Sequence, residues 1–584
     1  MVQISNLTDI IPQVREFENT DYYEQSTKIY FLRNFTIEMI EPYLKYNLYS
    51  NGIKPEVIFG EYDVINQELL DPQSNLHKVN PEIIILAMFM DNFVPELLSS
   101  KDELIDFLSD LDEQFELLLV NTDSLIILNT FIPSMYSEWG IASLSHVSKS
   151  EYIICKINQH VREYVSNHSD RFFLVDWERL IRILGEENSI DYRFWYSSRA
   201  PFKNAFLDLY SREITKIVRA LKGLSKKCVI LDCDNTLWGG VVGEDGLDGI
   251  KLDKHSYPGR VFFDFQKNLL YLYERGVLIT LCSKNNEEDV WEVLDNHPYS
   301  LLKRSHLTGW RINWENKVKN IESLARELNI GLDSMVLVDD SPVECGQVKQ
   351  YLPDVTVITV PQKLYIYPPL LLRDGLFDTL NFSSEDKNRT QMYQSEARRK
   401  QDQKQFSSID DYLASLELVE TIHPIRPGEI ARVAQLTQKT NQFNLTTRRY
   451  SEADIKRFAD DPDAAIYVLY VNDRYGEYGL TGILIARFED HKCILDSFLL
   501  SCRILGRKLE KVFVFHCMKE IIKSHNISQW QAEYIPSKKN QQVMSFWEDM
   551  GFTLQSKGNG IKKYSLATSE FKPEQIDFIK IVEE

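Results

Sequence analysis

Three short apolar runs in this chain each end abruptly in side chains suited to holding a cation or a phosphoryl group. Cys228-Val229-Ile230-Leu231 leads into Asp232-Cys233-Asp234-Asn235-Thr236, Leu278-Ile279-Thr280-Leu281-Cys282 into Ser283, and Met335-Val336-Leu337-Val338 into Asp339-Asp340. Continuous aliphatic and β-branched runs of this length read as strands of a parallel sheet buried on both faces. Side chains of an extended segment alternate with period two, so Asp232 and Asp234 are expected to face one point. Such a pair is costly unless a cation or a phosphoryl group sits between them. With Lys317 at the start of an expected helix between Ser283 and Asp339, these groups should converge at the C-terminal edge of an open α/β sheet, where ligands bind.

The elements around them suggest several domains. At 584 residues, and roughly 100–200 residues per domain, three or four are expected. Hydrophobic residues at 43% and charged residues at 26% suit globular domains with sizeable cores. A formal net charge of −20 argues against a general nucleic-acid or anionic-membrane binder. The eight cysteines are scattered without paired spacing, as expected of free thiols in a reducing compartment. Met1-Val2-Gln3-Ile4-Ser5-Asn6 is no cationic leader, and no apolar run approaches the roughly 18 residues a membrane span needs. A cytoplasmic protein is predicted.

From Ser26 to about Leu224 strand-like runs (29–32, 57–60, 81–88 and 124–129) alternate with helix-like ones (37–47 and 101–120), which predicts a doubly wound α/β domain over residues 1–224. Its layout resembles SGNH hydrolases, but Arg33-Asn34-Phe35-Thr36 stands where those enzymes carry a Gly-Asp-Ser nucleophile, so docking or substrate presentation is expected instead. The aromatic run Asp191-Tyr192-Arg193-Phe194-Trp195-Tyr196 reads as a groove lining or as core. Residues 225–370 form the central domain. Within it Gly239, Gly240, Gly243, Gly246 and Gly249 predict a loop or flap. Residues 258–275 read as a helix ended by Gly276. Ser283 also suits a helix N-cap before Glu287-Glu288-Asp289.

The spacing Asp232-x-Asp234-x-Thr236, with Ser283, Lys317 and Asp339-Asp340, resembles the four motifs of the haloacid dehalogenase superfamily. That resemblance implies a Rossmann-like fold, Asp232 as the nucleophile toward phosphorus, Asp234 as the acid for the leaving oxygen, Ser283 on the phosphoryl group and Lys317 as the offsetting cation. It further implies Mg²⁺ held by Asp232, the backbone carbonyl of Asp234 and Asp340, with Asp339 as neighbour. About 46 residues part Thr236 from Ser283 and about 33 part Ser283 from Lys317, too few for a large cap, so an open site is expected, suited to a protein-borne substrate or completed by a flanking domain. The longer strings Leu231 to Gly246 and Cys282-Ser283-Lys284-Asn285-Asn286 resemble the FkbH family of glyceryltransferase/phosphatases of polyketide assembly lines. This implies 1,3-bisphosphoglycerate as donor, a glyceryl thioester on the enzyme, removal of the phosphate, and delivery to the phosphopantetheine thiol of an acyl carrier protein. Cys233, at the mouth of the site where cationic surroundings would lower a thiol's pKa, is the first candidate for the thioester. Cys282 and Cys345 are the others.

Residues 371–418 read as a helical linker with an exposed basic cluster, Arg398-Arg399-Lys400 through Lys404, suited to an acidic carrier. Residues 419–584 resemble a GNAT-type acyltransferase fold: a helix over 430–439, strands over 465–471, 480–488 and 494–501, then Arg503-Ile504-Leu505-Gly506-Arg507-Lys508. The resemblance implies phosphate binding at Arg503 and Gly506 through backbone N–H groups, although Lys508 replaces the last small residue of the motif. Gln438-Lys439-Thr440-Asn441-Gln442-Phe443-Asn444-Leu445, which resembles the C-terminal signature of FkbH, is expected to be a recognition surface.

Overall fold

The structure, a computed structural model, describes residues 5–20, 23, 25–90, 101–133, 139–144, 149–380, 389–403, 406, 408–537, 539–558, 560–573 and 578–583. It divides into two compact units that part between Lys222 and Gly223. No helix among the described residues is long and apolar enough to cross a membrane.

The first unit is built on a parallel sheet of β1 (Gln25–Arg33), β2 (Ile53–Phe59), β3 (Ile83–Ala87), β4 (Leu125–Asn129) and β5 (Phe172–Val175), in the order β2-β1-β3-β4-β5. That is a doubly wound order with its switch point beside β1. At this tip Asn34 is fully buried, donating to the Phe89 carbonyl at 3.1 Å and accepting from the Phe89 N–H at 2.7 Å. Arg33 is paired with Glu38 at 2.6 Å. Among the described residues the tip of β1 is thus closed by its own hydrogen bonds, with Asn34 where the serine of an SGNH hydrolase would stand. The aromatic run, read as groove lining or core, forms the helix Tyr192–Ser198, where Trp195 is buried against Phe89 and Tyr192, Phe194 and Tyr196 are exposed.

The second unit opens with β6 (Cys228–Leu231), β7 (Leu278–Ser283), β8 (Leu307–Ile312), β9 (Met335–Asp339) and β10 (Thr356–Thr359), all parallel in the order β10-β9-β6-β7-β8. The chain fills one side of β6 with β7 and β8, then crosses to β9 on the other. The switch point therefore falls between the tips of β6 and β9. The expected flap is a short helix, Val242–Gly249, bent at Gly246. Gly240, at φ 97°, must be glycine, because a Cβ there would meet the Asp245 carboxylate at 2.4 Å, and that carboxylate accepts from the Val241 N–H.

The expected solvated linker is built into the fold. In the helix Arg389–Gln403, Tyr393 packs into the core beneath β6 and β9. Arg399 is buried, bonded to both oxygens of Asp473 at 2.7 and 2.8 Å, and lies over the Tyr478 ring. It is not a carrier-facing cation, and Lys404 lies outside the described residues.

The C-terminal part carries β11 (Leu418–Pro424), β12 (Phe443–Asn444), β13 (Ala464–Asp473), β14 (Gly476–Glu489), β15 (Lys492–Leu500), β16 (Gln529–Tyr534), β17 (Thr553–Gly558), β18 (Ile561–Ala567) and β19 (Ile579–Glu583). Strands β11, β13, β14 and β15 are antiparallel neighbours, after which β15 pairs with β16 in parallel only over Lys492–Leu495. This splayed, mixed sheet is GNAT-like. β12 fills the splay, pairing with Leu499–Leu500 of β15, while the Leu445 carbonyl accepts from the N–H of Ile535 at 2.8 Å. The amide-rich segment is divided: Asn444 and Leu445 are fully buried, and Thr440 and Phe443 nearly so, while Lys439, Thr440, Asn441 and Gln442 line a cleft.

One buried group in this part opposes stability. Along β11 the alternation of Leu418, Glu420 and Ile422 turns all three inward, and neither carboxylate oxygen of Glu420 has a hydrogen-bond partner. Burial, reinforced by Glu510, pushes Glu420 well above the usual carboxylate range near 4.5. The folded state then keeps a proton that the unfolded chain gives up, so this group's contribution declines as pH rises above about 4.5. Glu420→Gln should raise stability at pH 7 by about 1–3 kcal/mol. Denaturant unfolding of both proteins should show the gain widening between about pH 5 and pH 8.

Candidate active site

The strand β6 stops at Leu231, and the chain turns at once. Asp232, Cys233 and Asp234 therefore lie in a loop, where alternation no longer governs where side chains point. Asn235 adopts a left-handed conformation, φ 52°, and its side-chain oxygen accepts from the Gly240 N–H at 2.9 Å, closing the loop.

Asp232, Asp339 and Asp340 each offer an oxygen within 4.8 Å of the others'. Lys317, the first residue of the helix Lys317–Leu328, reaches between them. Its Nζ donates to Asp232 Oδ1 at 2.6 Å and Asp339 Oδ2 at 2.5 Å. The ammonium is only 4% exposed and Asp339 not at all. Burial pulls the Lys317 ammonium down, but the two carboxylates outweigh it and hold it above its ordinary value. Burial pushes Asp232 up, Lys317 opposes this, and repulsion from Asp339 adds to it. Asp340 is raised by partial burial and by Asp339. One ammonium offsets one of three carboxylates. The excess negative charge, with oxygen-only donors, fits a hard divalent cation. Asp339, placed among the metal residues by the resemblance, is a member of this cluster, its other oxygen accepting from the Ser341 N–H at 2.9 Å.

The tip of β7 brings in Ser283. It is buried, its hydroxyl bonds to Asp232, and it caps no helix, since Asn286 precedes Glu287–Asn296. Asn285 donates to Ser283 Oγ at 3.0 Å and to Asp234 Oδ2 at 3.1 Å. Asp234 also accepts from Trp238 Nε1 at 2.8 Å and from the Val242 N–H at 3.0 Å. Its carboxylate does not join the Asp232 cluster, contrary to the expectation that the two face one point. Its backbone carbonyl remains as the ligand the resemblance implies. Asn285 and Trp238 were not singled out from the sequence. Both lie in the strings that carry the family resemblance, two residues past Ser283 and four past Asp234.

All three candidate thiols are buried. Cys233 is fully buried, packed among Val229, Leu231 and Leu237. Burial, helped by Asp232, pushes its thiol well above the ordinary value, while a hydrogen bond with Ser283 only partly opposes this. Cys282 lies in the opposite core with its thiol pushed up to about 12 by burial. Cys345 is buried behind Asp339, its Sγ 3.6 Å from the Asp339 carbonyl. Arg503 lines a cleft that faces β6 and β9, and Gly506 is not among the residues lining that cleft. Among the described residues, β12 pairs with Leu499 and Leu500 at the end of β15.

Residues 28–219 match the family model described as FkbH, N-terminal domain, and residues 227–355 match that of NLI interacting factor-like phosphatase. Among solved structures, the N-terminal part of the protein BF1531 from Bacteroides fragilis, containing a phosphatase domain complexed with Mg, is similar at 27% identity and a TM-score of 0.59, over 65% of this chain and 100% of that one. The ribosomal-protein-S18-alanine N-acetyltransferase from Escherichia coli is similar at 14% identity and a TM-score of 0.20, over 25% of this chain and 93% of that one. The GNAT domain of S. lividans PAT is similar at 13% identity and a TM-score of 0.21, over 25% and 89%. No curated protein matches the chain.

Proposed function

We propose that this chain, an FkbH-like protein with a phosphatase domain of the haloacid dehalogenase type, is a Mg²⁺-dependent phosphohydrolase that forms an aspartyl phosphate on Asp232. The observation that carries the reading is the cluster of Asp232, Asp339 and Asp340 with Lys317 between its members. Mg²⁺ would be held by these carboxylates and the Asp234 carbonyl, where its charge offsets that of an incoming phosphate. Asp232 attacks phosphorus as the bond to the leaving oxygen breaks, and Asp234 gives that oxygen its proton. Water then cleaves the aspartyl phosphate. Ser283 orients the phosphoryl group, and Asn285 ties Ser283 to Asp234, so the two act from one rigid frame.

The finer reading is glyceryl transfer. 1,3-bisphosphoglycerate supplies a phosphoglyceryl group, the phosphate is removed at Asp232, and the glyceryl group passes to the phosphopantetheine thiol of an acyl carrier protein. The match of residues 28–219 to the FkbH N-terminal domain supports it. Cys233 neighbours Ser283 and Asp232, so a thioester there would lie against the phosphoryl site. Its burial requires the loop between Asn235 and Val242 to open first.

Intact-mass spectrometry after incubation with 1,3-bisphosphoglycerate, Mg²⁺ and a phosphopantetheinylated carrier tests both readings. Glyceryl on the carrier, with a hydroxylamine-labile adduct on the enzyme that Cys233→Ala removes, is the expected result. An adduct that persists in Cys233→Ala moves the acyl group to another thiol. Phosphate release from simple esters with no adduct in any form leaves a phosphatase alone, and no Mg²⁺-dependent release from any of these substrates overturns the proposal.

A further inference from the structure

The Lys317 helix is reached through a short loop after β8, Asn313-Trp314-Glu315-Asn316. Both ends of this loop are fixed to the phosphoryl site. The Asn313 N–H donates to the Ser283 carbonyl at 3.1 Å, and the Asn313 side-chain oxygen accepts from the Glu315 N–H at 3.0 Å and from Asn320 Nδ2 at 2.9 Å. Asn316 caps the helix, accepting from the Val318 N–H at 2.7 Å. The next residue is Lys317, whose ammonium lies between Asp232 and Asp339.

Trp314, held in that frame, is 71% exposed. Its Nε1 donates to Asn286 Oδ1 at 3.3 Å, and Asn286 follows Asn285, which bonds to Ser283 and Asp234. Two further indoles end on the adjoining residue: Trp291 and Trp310 donate to Glu287 Oε1 at 2.9 and 3.0 Å. Trp310 packs edge-on against Trp291 and is itself 40% exposed. An indole has one polar group, its N–H. With that group engaged on Asn286, the surface Trp314 presents to solvent is apolar ring, and leaving it uncovered in water costs free energy.

The position of the ring suits a leaving group. β8 stands two strands from β6, about 10 Å at roughly 4.8 Å per strand. With Asp232 attacking phosphorus at the tip of β6, a one- or two-carbon ester group stops short of Trp314, and a longer one lies across it. From β6 to β8 the chain carries only the helices Val242–Gly249, Gly259–Glu274 and Glu287–Asn296 and the turn Arg304–His306. None of these is a cap domain, so an extended leaving group passes out over the rim where the indole stands.

We propose that Trp314 is a specificity-determining residue of the phosphoryl site, a platform for the apolar arm beyond the ester oxygen, and that the substrates are phosphoesters of extended rather than compact alcohols. The inference rests on the phosphohydrolase reading; on its finer form the alcohol that leaves is a glyceryl group already joined to a thioester, which is extended in this sense. Steady-state phosphate release with Mg²⁺ from ethyl phosphate and n-hexyl phosphate, whose leaving alkoxides are alike, tests it. The wild type should favour hexyl phosphate in kcat/KM by about tenfold or more, from laying four extra methylenes on the ring. Trp314→Ala should remove most of that preference through KM for hexyl phosphate, and Trp314→Phe, which keeps a flat apolar ring, should retain it. If Trp314→Ala melts below the wild type, Trp314→Gln, whose amide can still donate to Asn286, gives the same readout. Tyr351→Ala removes an exposed ring at the far end of the helix Pro342–Tyr351 and should leave the preference as in the wild type. Release from both esters without preference in the wild type, or a preference that survives the loss of the Trp314 ring, overturns this inference and leaves the phosphohydrolase reading standing. Release from neither ester also overturns it, and the phosphohydrolase reading falls with it only if 1,3-bisphosphoglycerate gives no Mg²⁺-dependent release either.

Discussion

Asp232→Asn is expected to lower phosphate release on the order of 10⁴-fold or more, since an amide cannot serve as the nucleophile and the residues of such a site act as a unit. The loss should fall on kcat, because the substitution is isosteric and leaves Ser283, Asp234 and Asn285 in place. Folding should survive it: Lys317 keeps Asp339 as a partner at 2.5 Å, and the amide can still accept from the ammonium. Steady-state phosphate release measured beside the melting temperature separates the two effects. An Asp232→Asn protein that melts like the wild type yet retains more than a few per cent of kcat would remove Asp232 from the nucleophilic role.

Lys317→Met tests the same cluster from the side of stability. The side chains of Asp232, Lys317 and Asp339 are 9%, 4% and 0% exposed, so solvent screens their interaction little. Removing the cation strands two buried carboxylates, at an expected cost of about 3–5 kcal/mol in EDTA. Without Lys317 to pull it down, Asp232 rises further above the ordinary carboxylate range, where burial and Asp339 already hold it. A carboxyl raised in the folded state binds more protons there than in the unfolded chain, so stability falls as pH rises. The deficit of Lys317→Met should therefore grow from acidic pH toward pH 8. Adding Asp232→Asn to Lys317→Met should recover part of the loss, since one stranded charge is gone. Urea unfolding of the four proteins of this double-mutant cycle across pH measures it, and an additive cycle would contradict the pairing.

The parts of this architecture that were legible in the chain are those written in local runs. Val229-Ile230-Leu231, Leu278 to Cys282 and Met335 to Val338 are continuous apolar segments, and they are β6, β7 and β9 as read. Strands β8 and β10 were missed, because Leu307–Ile312 contains Gly309 and Arg311 and Thr356–Thr359 is only partly buried. Asp232 and Asp234 were expected to point together, but a turn that begins at Asp232 ends the alternation on which the expectation rests. The basic run in the helix Arg389–Gln403 looked solvated because nothing near it reveals that Asp473, distant in sequence, pairs with Arg399. Glu420 was readable in principle, since Leu418 and Ile422 flank it at period two.

By themselves, the types and spacing of Asp232, Ser283, Lys317 and Asp339-Asp340 were enough to mark a phosphoryl site on an open α/β sheet, because a strand tip delivers its terminal side chain wherever the sheet's edge lies. Only the tertiary structure decided which groups meet there. The crossing from β8 to β9 sets Asp339 beside Asp232, the approach of the Lys317 helix puts an ammonium between them, and the turn after Leu231 sends Asp234 to Asn285 and Cys233 into the core. Those outcomes depend on contacts between segments dozens to a hundred residues apart, and no local pattern carries that information.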